Sequence, residues 1–255
     1  MKKILLIIMF MLVASVGDCQ NLIVKDVKFR DDNYVDYTKG AVGAWRFDPA
    51  QDKLLDISGE DNHCVIGNDP EYISGCKEGS CYDYDGGNDY LNCGSDASLD
   101  LTNGTISFWV KLDALPSSTY WGIISKDEGG TNLLDGKIGI DHGIWADVTD
   151  DHFFMHIVSS GPANKWVESA NVAIVDTWTH IVGTFGSGGM KFYINGVLED
   201  TDASTSGWAN VSEDLLIGTL NGRSRFLNGQ VDEVLIDDRE LTSSEILDLY
   251  KNGMK

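Results

Sequence analysis

The sequence predicts an all-β fold in which two antiparallel sheets pack face to face as a sandwich, with one short helix at the C-terminus. From Ala41 onward, short runs of apolar and β-branched residues alternate with turn residues at regular spacing. Glycine is abundant, with 28 residues, and proline is scarce, with 4, which is typical of many tight turns between short strands. Many strands and a single terminal helix favour a β-sandwich over a helical or mixed fold.

The N-terminus has the pattern of an export signal. Two lysines precede an apolar run that is too short to span a bilayer comfortably, so no membrane span is predicted. The small residues Ser15 and Gly17 suit a cleavage site, which predicts a signal peptide over residues 1–17 and a secreted, extracellular chain. The alternative is a lipid anchor on Cys19, which Asp18 disfavours because a small residue is expected there.

The rest of the chain is predicted to be a leader or edge strand over residues 18–40, followed by one domain over residues 41–255. No linker, low-complexity stretch or internal repeat divides that domain. The runs that match the strand pattern are AVGAWRF, GTISFWVKL, WGIISK, GKIGI, HFFMHIVSS, WTHIVGTF, MKFYINGVLE, DLLIGTL and GQVDEVLIDD. In GTISFWVKL, apolar residues occupy every second position from Ile106 to Leu112, so they share one face of the strand.

Two local signals are specific enough to place individual residues. Asn195-Gly196 follows an apolar run and predicts a type I′ hairpin turn. The run LTSSEILDLYKNG predicts a helix with Thr242 or Ser243 as N-cap and Gly253 as its stop.

Charge excludes one class of partner. The formal net charge is −21 and the pI is about 4.3. Nucleic acids and anionic lipids are bound by clustered Lys and Arg, so nucleic-acid binding is not expected. An acidic surface does permit cation binding.

Export makes disulfides possible among the cysteines of the domain. These are Cys64, Cys76, Cys81 and Cys93. Residues that face each other in a hairpin are symmetric about its turn. Cys81 and Cys93 are symmetric about the turn signal DGGN, and Cys64 and Cys76 about GNDPE, which favours the pairs Cys64–Cys76 and Cys81–Cys93. A Cys76–Cys81 bridge across CKEGSC is the competing arrangement.

The ordered succession of several blocks resembles a laminin G-like domain of the concanavalin A-like superfamily over roughly residues 41–255. The blocks are AVGAWRFD, LLDISGEDNHCVIG, GSCYDYDGGNDYLNCGSDASLDLTNGTISFWVKL, DTWTHIVGTF, MKFYINGVLEDT and LNGQVDEVLIDDRELTSSEILDLYKNG. The resemblance implies a two-sheet antiparallel jelly roll, and a non-catalytic binding or adhesion module of secreted proteins.

The resemblance also implies a calcium site. Asp232 matches the acidic position that the family uses on the last long strand, and Asp48 and Asp56 match acidic positions on the N-terminal side of that site. Gly86 is a candidate for a carbonyl ligand. Calcium takes six to eight oxygen ligands, which carboxylates and carbonyls supply. The alternative is that these carboxylates cap turns or lie solvated on an acidic surface.

Catalysis is not expected. Glucanases of the same superfamily carry Glu-x-Asp-x-(x)-Glu on one strand, so that their carboxylates share one face, and this pattern is missing from the sequence. Asp232 and Glu233 are neighbours, which predicts opposite faces. His180 lies at a common family position beside Trp178, where we expect packing.

Tryptophans are the candidate ligand-binding residues, because sugar rings stack on aromatic faces. Those in loop-like or edge contexts are Trp121, Trp145, Trp166 and Trp208. Those in strand blocks, expected in the core, are Trp45, Trp109 and Trp178. The predicted function is carbohydrate or glycoconjugate binding. The alternatives are protein–protein contacts by a structural or surface protein and, less favoured, a polysaccharide hydrolase.

Overall fold

The structure is a computed structural model that describes residues 35–48, 54–116, 121–126, 138–143, 152–157, 165–205, 213–220 and 225–254. The chain divides into two units, Met1–Val35 and Asp36–Lys255, and the strands and helices given below belong to the second. The predicted signal peptide, Cys19 and most of the predicted leader lie outside the described residues. Within the described ranges, no helix has the length and apolar character needed to cross a bilayer.

Strands make up most of the regular structure. In chain order they are β1 (Ala41–Trp45), β2 (Val65–Gly67), β3 (Glu71–Ser74), β4 (Ser80–Asp85), β5 (Tyr90–Asn92), β6 (Gly104–Leu112), β7 (Trp121–Lys126), β8 (Ile138–Gly143), β9 (His152–Ile157), β10 (Lys165–Glu168), β11 (Thr179–Phe185), β12 (Met190–Ile194), β13 (Val197–Asp202), β14 (Leu216–Ile217) and β15 (Asn228–Asp237). A short 3-10 helix spans Ala97–Leu99, and helix α1 spans Ser243–Asn252.

The strands form two antiparallel sheets that enclose the main core. The back sheet has the order β13-β12-β11-β6-β15-β4-β3, with β1 also paired to β15. The front sheet has the order β10-β9-β8-β7-β14-β5-β2. Buried side chains of both sheets meet in one apolar cluster, which includes Phe108 of β6 and Met155 of β9. The predicted two-sheet jelly-roll sandwich is therefore confirmed.

Local sequence signals are also confirmed. The alternate residues from Ile106 to Leu112 of β6 lie in the core. Asn195 and Gly196 both have positive φ, 51° and 78°, and they join β12 to β13 as a two-residue hairpin. Helix α1 begins after Thr242, the N-cap, and ends at Gly253.

The two favoured cysteine pairs are wrong, although all four cysteines form disulfides and the competing Cys76–Cys81 bridge is present. The bonds are Cys64–Cys93 and Cys76–Cys81. Symmetry about DGGN failed because β4 and β5 are not partners: β4 lies in the back sheet and β5 in the front sheet. The same is true of β3 and β2 around GNDPE. Each of these turns therefore connects a strand of one sheet to a strand of the other. The strands that do pair are β2 with β5 and β3 with β4, and each disulfide lies at one of these two pairs.

Strand β15 changes neighbour halfway along its length. On one side it pairs with β6 throughout, while on the other side Asn228–Val231 pair with β4 and Val234–Asp237 pair with β1. The ladder to β6 is interrupted between Asp232 and Leu235, and Glu233 has a φ of 51° there. A bulge of this kind re-aims side chains and leaves main-chain groups without ladder partners.

Candidate ligand-binding and cation sites

The bulge in β15 buries two adjacent carboxylates. Asp232 is fully buried and accepts hydrogen bonds from the main-chain N–H groups of Glu78, at 2.9 Å, and Glu233, at 2.8 Å. Glu233 accepts from the N–H of Met254 at 3.0 Å and from Nε of Arg46 at 3.3 Å. Neighbouring strand residues normally point to opposite faces, but the left-handed φ of Glu233 breaks that alternation.

The hydrogen bonds that the two carboxylates accept do not fully replace the water that they lose on burial. Burial, together with the charges of Glu233 and Asp48, raises the pKa of Asp232 to about 8, although its two N–H donors oppose the rise. Burial also raises the pKa of Glu233 to about 6, although Met254 N–H and Arg46 oppose the rise. Burial therefore disfavours the charged form of both carboxylates, and the hydrogen bonds that they accept offset this only in part.

Asp48 joins Asp232 at the turn between β3 and β4. Any side chain at Gly79 would collide with Oδ1 of Asp48, while the preceding residue, Glu78, donates its N–H to Asp232. The carboxylate oxygens of Asp48 and Asp232 are ligands of the kind that a hard divalent cation such as calcium takes. Two carboxylates supply fewer than the six to eight oxygens that calcium takes, so main-chain carbonyls and water must complete its shell.

The structure does not bring the other two predicted metal ligands to this place. Asp56 accepts four hydrogen bonds in the loop after β1, from the N–H groups of Ala44, Ser58 and Asn62 and from the Ser58 hydroxyl. Gly86 packs beside Asn228, about 13 Å along β15 from Asp232 at the usual rise of a strand. Within the described ranges, no group of three or more His, Cys, Asp or Glu side chains is arranged to hold a metal ion.

Aromatic side chains cover the back sheet next to Asp232. Trp109 of β6 is the cross-strand partner of Asp232 and is buried on the outer face of the sheet rather than between the sheets. Its ring lies 4.9 Å from that of His180 and 5.6 Å from that of Tyr250 in α1. Lys77 places Nζ 3.7 Å from the Trp109 ring centroid. Of the other two expected core tryptophans, Trp45 is fully buried, whereas Trp178 is partly exposed.

Sequence reasoning missed the contribution of the β3–β4 turn to this site. The turn contributes the N–H of Glu78 and the ammonium of Lys77. The residue types did not reveal these roles, because Glu78 acts through its main-chain N–H and not through its side chain. The available signal was the cysteine spacing of CKEGSC, which marks a constrained turn.

The second candidate site is the outer face of the front sheet at its β10 edge. Trp166 is 54 % exposed, while the next residue, Val167, is fully buried in the core, so the indole points away from the core. In register with β9, Trp166 lies beside His156, and Glu168 lies beside Phe154. Two aromatic and two polar side chains therefore alternate on one rigid surface.

The other predicted ligand residues do not join that surface in the described structure. Trp121 of β7 is half-buried and packs against the core from the same sheet. Through the intervening strand β8, Trp121 is in register with Phe153 of β9, and the Phe153 side chain lies in the core. Trp121 and Trp166 therefore lie on opposite faces of the front sheet. Trp145 and Trp208 fall outside the described residues.

Comparison with solved structures finds the same fold in binding domains. Domain 4 of AbnA, a GH43 extracellular arabinanase from Geobacillus stearothermophilus solved in complex with arabinotriose, is similar with a TM-score of 0.65 and 22 % identity, over 82 % of this chain and 98 % of that one. The binding domain of Paraclostridial Mosquitocidal Protein 1 is similar with a TM-score of 0.65 and 16 % identity, over 84 % of this chain and 52 % of that one.

The botulinum neurotoxin serotype D binding domain is a further similar structure, with a TM-score of 0.63 and 15 % identity, over 84 % of this chain and 51 % of that one. The chain thus spans about half the length of both toxin domains. At these identities the likeness concerns the fold.

Sequence comparison identifies the family. None of the curated protein sequences compared with the chain matches it. A laminin G family model (Laminin_G_3), described as the concanavalin A-like lectin/glucanases superfamily, matches residues 85–247, well over half of the chain. The predicted resemblance is confirmed: the chain belongs to the concanavalin A-like lectin/glucanases superfamily.

Proposed function

We propose that the chain is an exported, non-catalytic module that binds carbohydrate on the outer face of the front sheet and is stabilised by a calcium ion at Asp48 and Asp232. The observation that carries this proposal is Trp166, which presents a 54 % exposed indole on a regular strand. A flat aromatic face on a rigid element is what a pyranose or furanose ring stacks against. Glu168, which is exposed on the same face, supplies carboxylate oxygens beside it for sugar hydroxyls.

Three further observations support the proposal. Arabinotriose is bound by a protein that includes a domain of this fold and nearly this length. Two disulfides are typical of proteins that fold in an oxidising compartment outside the cytosol. The missing Glu-x-Asp-x-(x)-Glu pattern supports a non-catalytic role.

The test is titration of the full chain with arabino-oligosaccharides and a panel of other polysaccharides, followed by calorimetry and by tryptophan fluorescence. We expect Trp166→Ala to weaken binding by about tenfold or more, because loss of one stacking contact removes on the order of 1–2 kcal/mol.

The matched control is Ile174→Ala, which truncates an apolar side chain that is 64 % exposed and lies outside the strand surface. This control should bind as the wild type does. Equal affinity of wild type and Trp166→Ala for every ligand bound would contradict the proposed surface.

Calcium binding is tested by melting the protein with calcium and with EDTA. At calcium concentrations about 100-fold above Kd, a bound ion adds about 2.7 kcal/mol to the free energy of unfolding, which raises Tm by about 5–10 °C for a chain of this size. We expect Asp232→Asn to remove this difference. Asp113→Asn, at an exposed carboxylate, should keep it. An identical Tm in calcium and EDTA for the wild type would contradict the calcium site.

A second candidate function, protein–protein contact, is favoured by one apolar surface. Val197 and Leu198 at the start of β13 are 61 % and 46 % exposed, and Leu247 of α1 is 37 % exposed. The hairpin and the helix adjoin, because a Cβ at Gly196 would lie 3.0 Å from Leu247. No binding to any glycan, together with self-association that Val197→Asp abolishes in sedimentation analysis, would favour this function over carbohydrate binding.

A further inference from the structure

A five-residue turn, residues 75–79, connects β3 to β4 and is crosslinked at its base. The N–H of Gly75 donates to the carbonyl of Gly79 at 2.9 Å, and both glycines have positive φ, 82° and 56°. The Cys76–Cys81 disulfide joins the turn to the second residue of β4. Two covalent links, the main chain and the disulfide, therefore join the turn to β4. Its two glycines and Glu78 are exposed.

Three contacts connect this turn to the bulge in β15. The N–H of Glu78 donates to Oδ2 of Asp232 at 2.9 Å. A Cβ at Gly79 would collide with Oδ1 of Asp48, so this glycine and the Asp48 carboxylate lie side by side. Lys77 lies over the ring of Trp109, the cross-strand partner of Asp232. Each contact comes from the turn and reaches the two carboxylates or their neighbour.

Little else in the described structure holds the turn in place. Its five residues are two glycines, a glutamate, the bridged cysteine and Lys77, whose Nζ lies over the ring of Trp109. A turn rich in glycine has many alternative conformations once it is not crosslinked. In those conformations Asp232 loses the N–H of Glu78 and keeps only that of Glu233, while Asp48 loses its neighbour Gly79.

We propose that the Cys76–Cys81 disulfide is a positioning element for the cation site, because it holds the β3–β4 turn in the conformation that aligns Asp48 with Asp232. The proposal rests on the calcium site of the proposed function. The affinity of a site for its ligand falls in proportion to the fraction of molecules in the competent conformation. If the released turn is competent about one tenth of the time, calcium affinity falls about tenfold.

The test compares two double variants of the full chain, each lacking one disulfide. Cys76→Ser/Cys81→Ser releases the turn, and the matched control Cys64→Ser/Cys93→Ser releases the β2–β5 bridge of the front sheet. Terbium luminescence, sensitised by Trp109 next to Asp232, reports occupancy, and competition with calcium gives Kd. Circular dichroism at 15 °C first identifies which proteins are folded.

We expect calcium Kd to rise about tenfold or more in the first variant and to stay within about twofold of wild type in the control. Equal Kd values in the wild type and both variants would overturn the proposal, and so would the same weakening in both variants. Failure of the wild type to bind calcium would instead overturn the calcium site itself, so the two failures are distinguishable.

A single variant keeps the proposal testable if the first double variant does not fold. Gly79→Ala leaves the disulfide intact but places a methyl group against Oδ1 of Asp48, at a φ of 56°. We expect at least a fivefold rise in calcium Kd for this variant. Gly75→Ala, which has open space around the added methyl group and a similar φ of 82°, is its control and should bind calcium as the wild type does. Equal Kd for Gly79→Ala and wild type would overturn the proposal.

Discussion

His180 is a histidine that the fold keeps neutral. It is buried on the outer face of the back sheet between Trp109 and Tyr250, and its Nε2 lies 2.9 Å from the Ser107 hydroxyl. Its Nδ1 has no hydrogen-bond partner among the described residues. Burial, with the positive charge of Lys77, lowers the pKa of His180 to about 3 from an ordinary 6.5. The predicted packing role of this residue agrees with its ring contacts.

The lowered pKa of His180 predicts acid sensitivity. Between pH 6.5 and about 3 the unfolded chain binds a proton that the folded chain does not, so the stability contributed at pH 7 is lost as pH falls through this window. We expect His180→Gln to be less stable than wild type at pH 7 but to lose about 2–3 kcal/mol less between pH 6.5 and pH 4.5. Urea unfolding at each pH gives the two curves.

The difference between those two curves isolates His180 from other titrating groups. Asp232 and Glu233 have raised pKa values, so their contribution to stability is present at low pH and is lost as pH rises, but both proteins share it. His63→Gln, at a half-exposed histidine, should follow the wild-type curve. Parallel curves for wild type and His180→Gln would contradict the prediction.

Helix α1 is an element whose sequence signals agree with its structure. Oγ1 of Thr242 accepts from the N–H of Glu245, and the Glu245 carboxylate accepts from the N–H of Thr242 at 2.7 Å, which is a capping box. Ile246 and Leu249 are buried against the outer face of the back sheet. The amphipathic face and the cap agree, which is why the sequence located this helix correctly.

We expect Thr242→Ala to lower the free energy of unfolding by about 1 kcal/mol, because the N–H of Glu245 loses its acceptor and the Glu245 carboxylate loses the hydrogen bond from the Thr242 hydroxyl. Thermal and urea unfolding measure the loss. Lys251→Ala, at an exposed position of the last turn, should change stability by no more than about 0.5 kcal/mol. A loss equal to that of the control would show that the cap contributes nothing.

Short strands were the elements that the sequence did not reveal. Strands β2, β5 and β10 have three or four residues each, too few for a period of two to stand out. Long strands such as β6 and β15 carry enough alternation, so their bounds were predicted within a residue or two. Pairing was harder still, because a turn signal does not say whether the next strand joins the same sheet.

At the scale of the whole molecule, the fold and its family were predictable, while the candidate sites were predictable only in part. Ordered motif blocks identified the sandwich, and the fold brings Asp48 and Asp232 to one turn although they are far apart in sequence. Asp56 was misplaced because an aspartate that holds a loop by four hydrogen bonds has the same sequence context as a ligand. The sequence did not distinguish Trp166 from Trp121 as ligand-binding candidates, because only the pairing of the strands shows that they lie on opposite faces of the front sheet.

The placement of β15 also determines the order in which this molecule folds. It is the last strand of the domain, yet β6, β4 and β1 all pair with it. During synthesis those three strands emerge long before their shared partner, so their hydrogen-bonding edges stay open until Asn228–Asp237 arrive. Contacts of such sequence separation make folding slow. The back sheet therefore closes only after β15 has been synthesised.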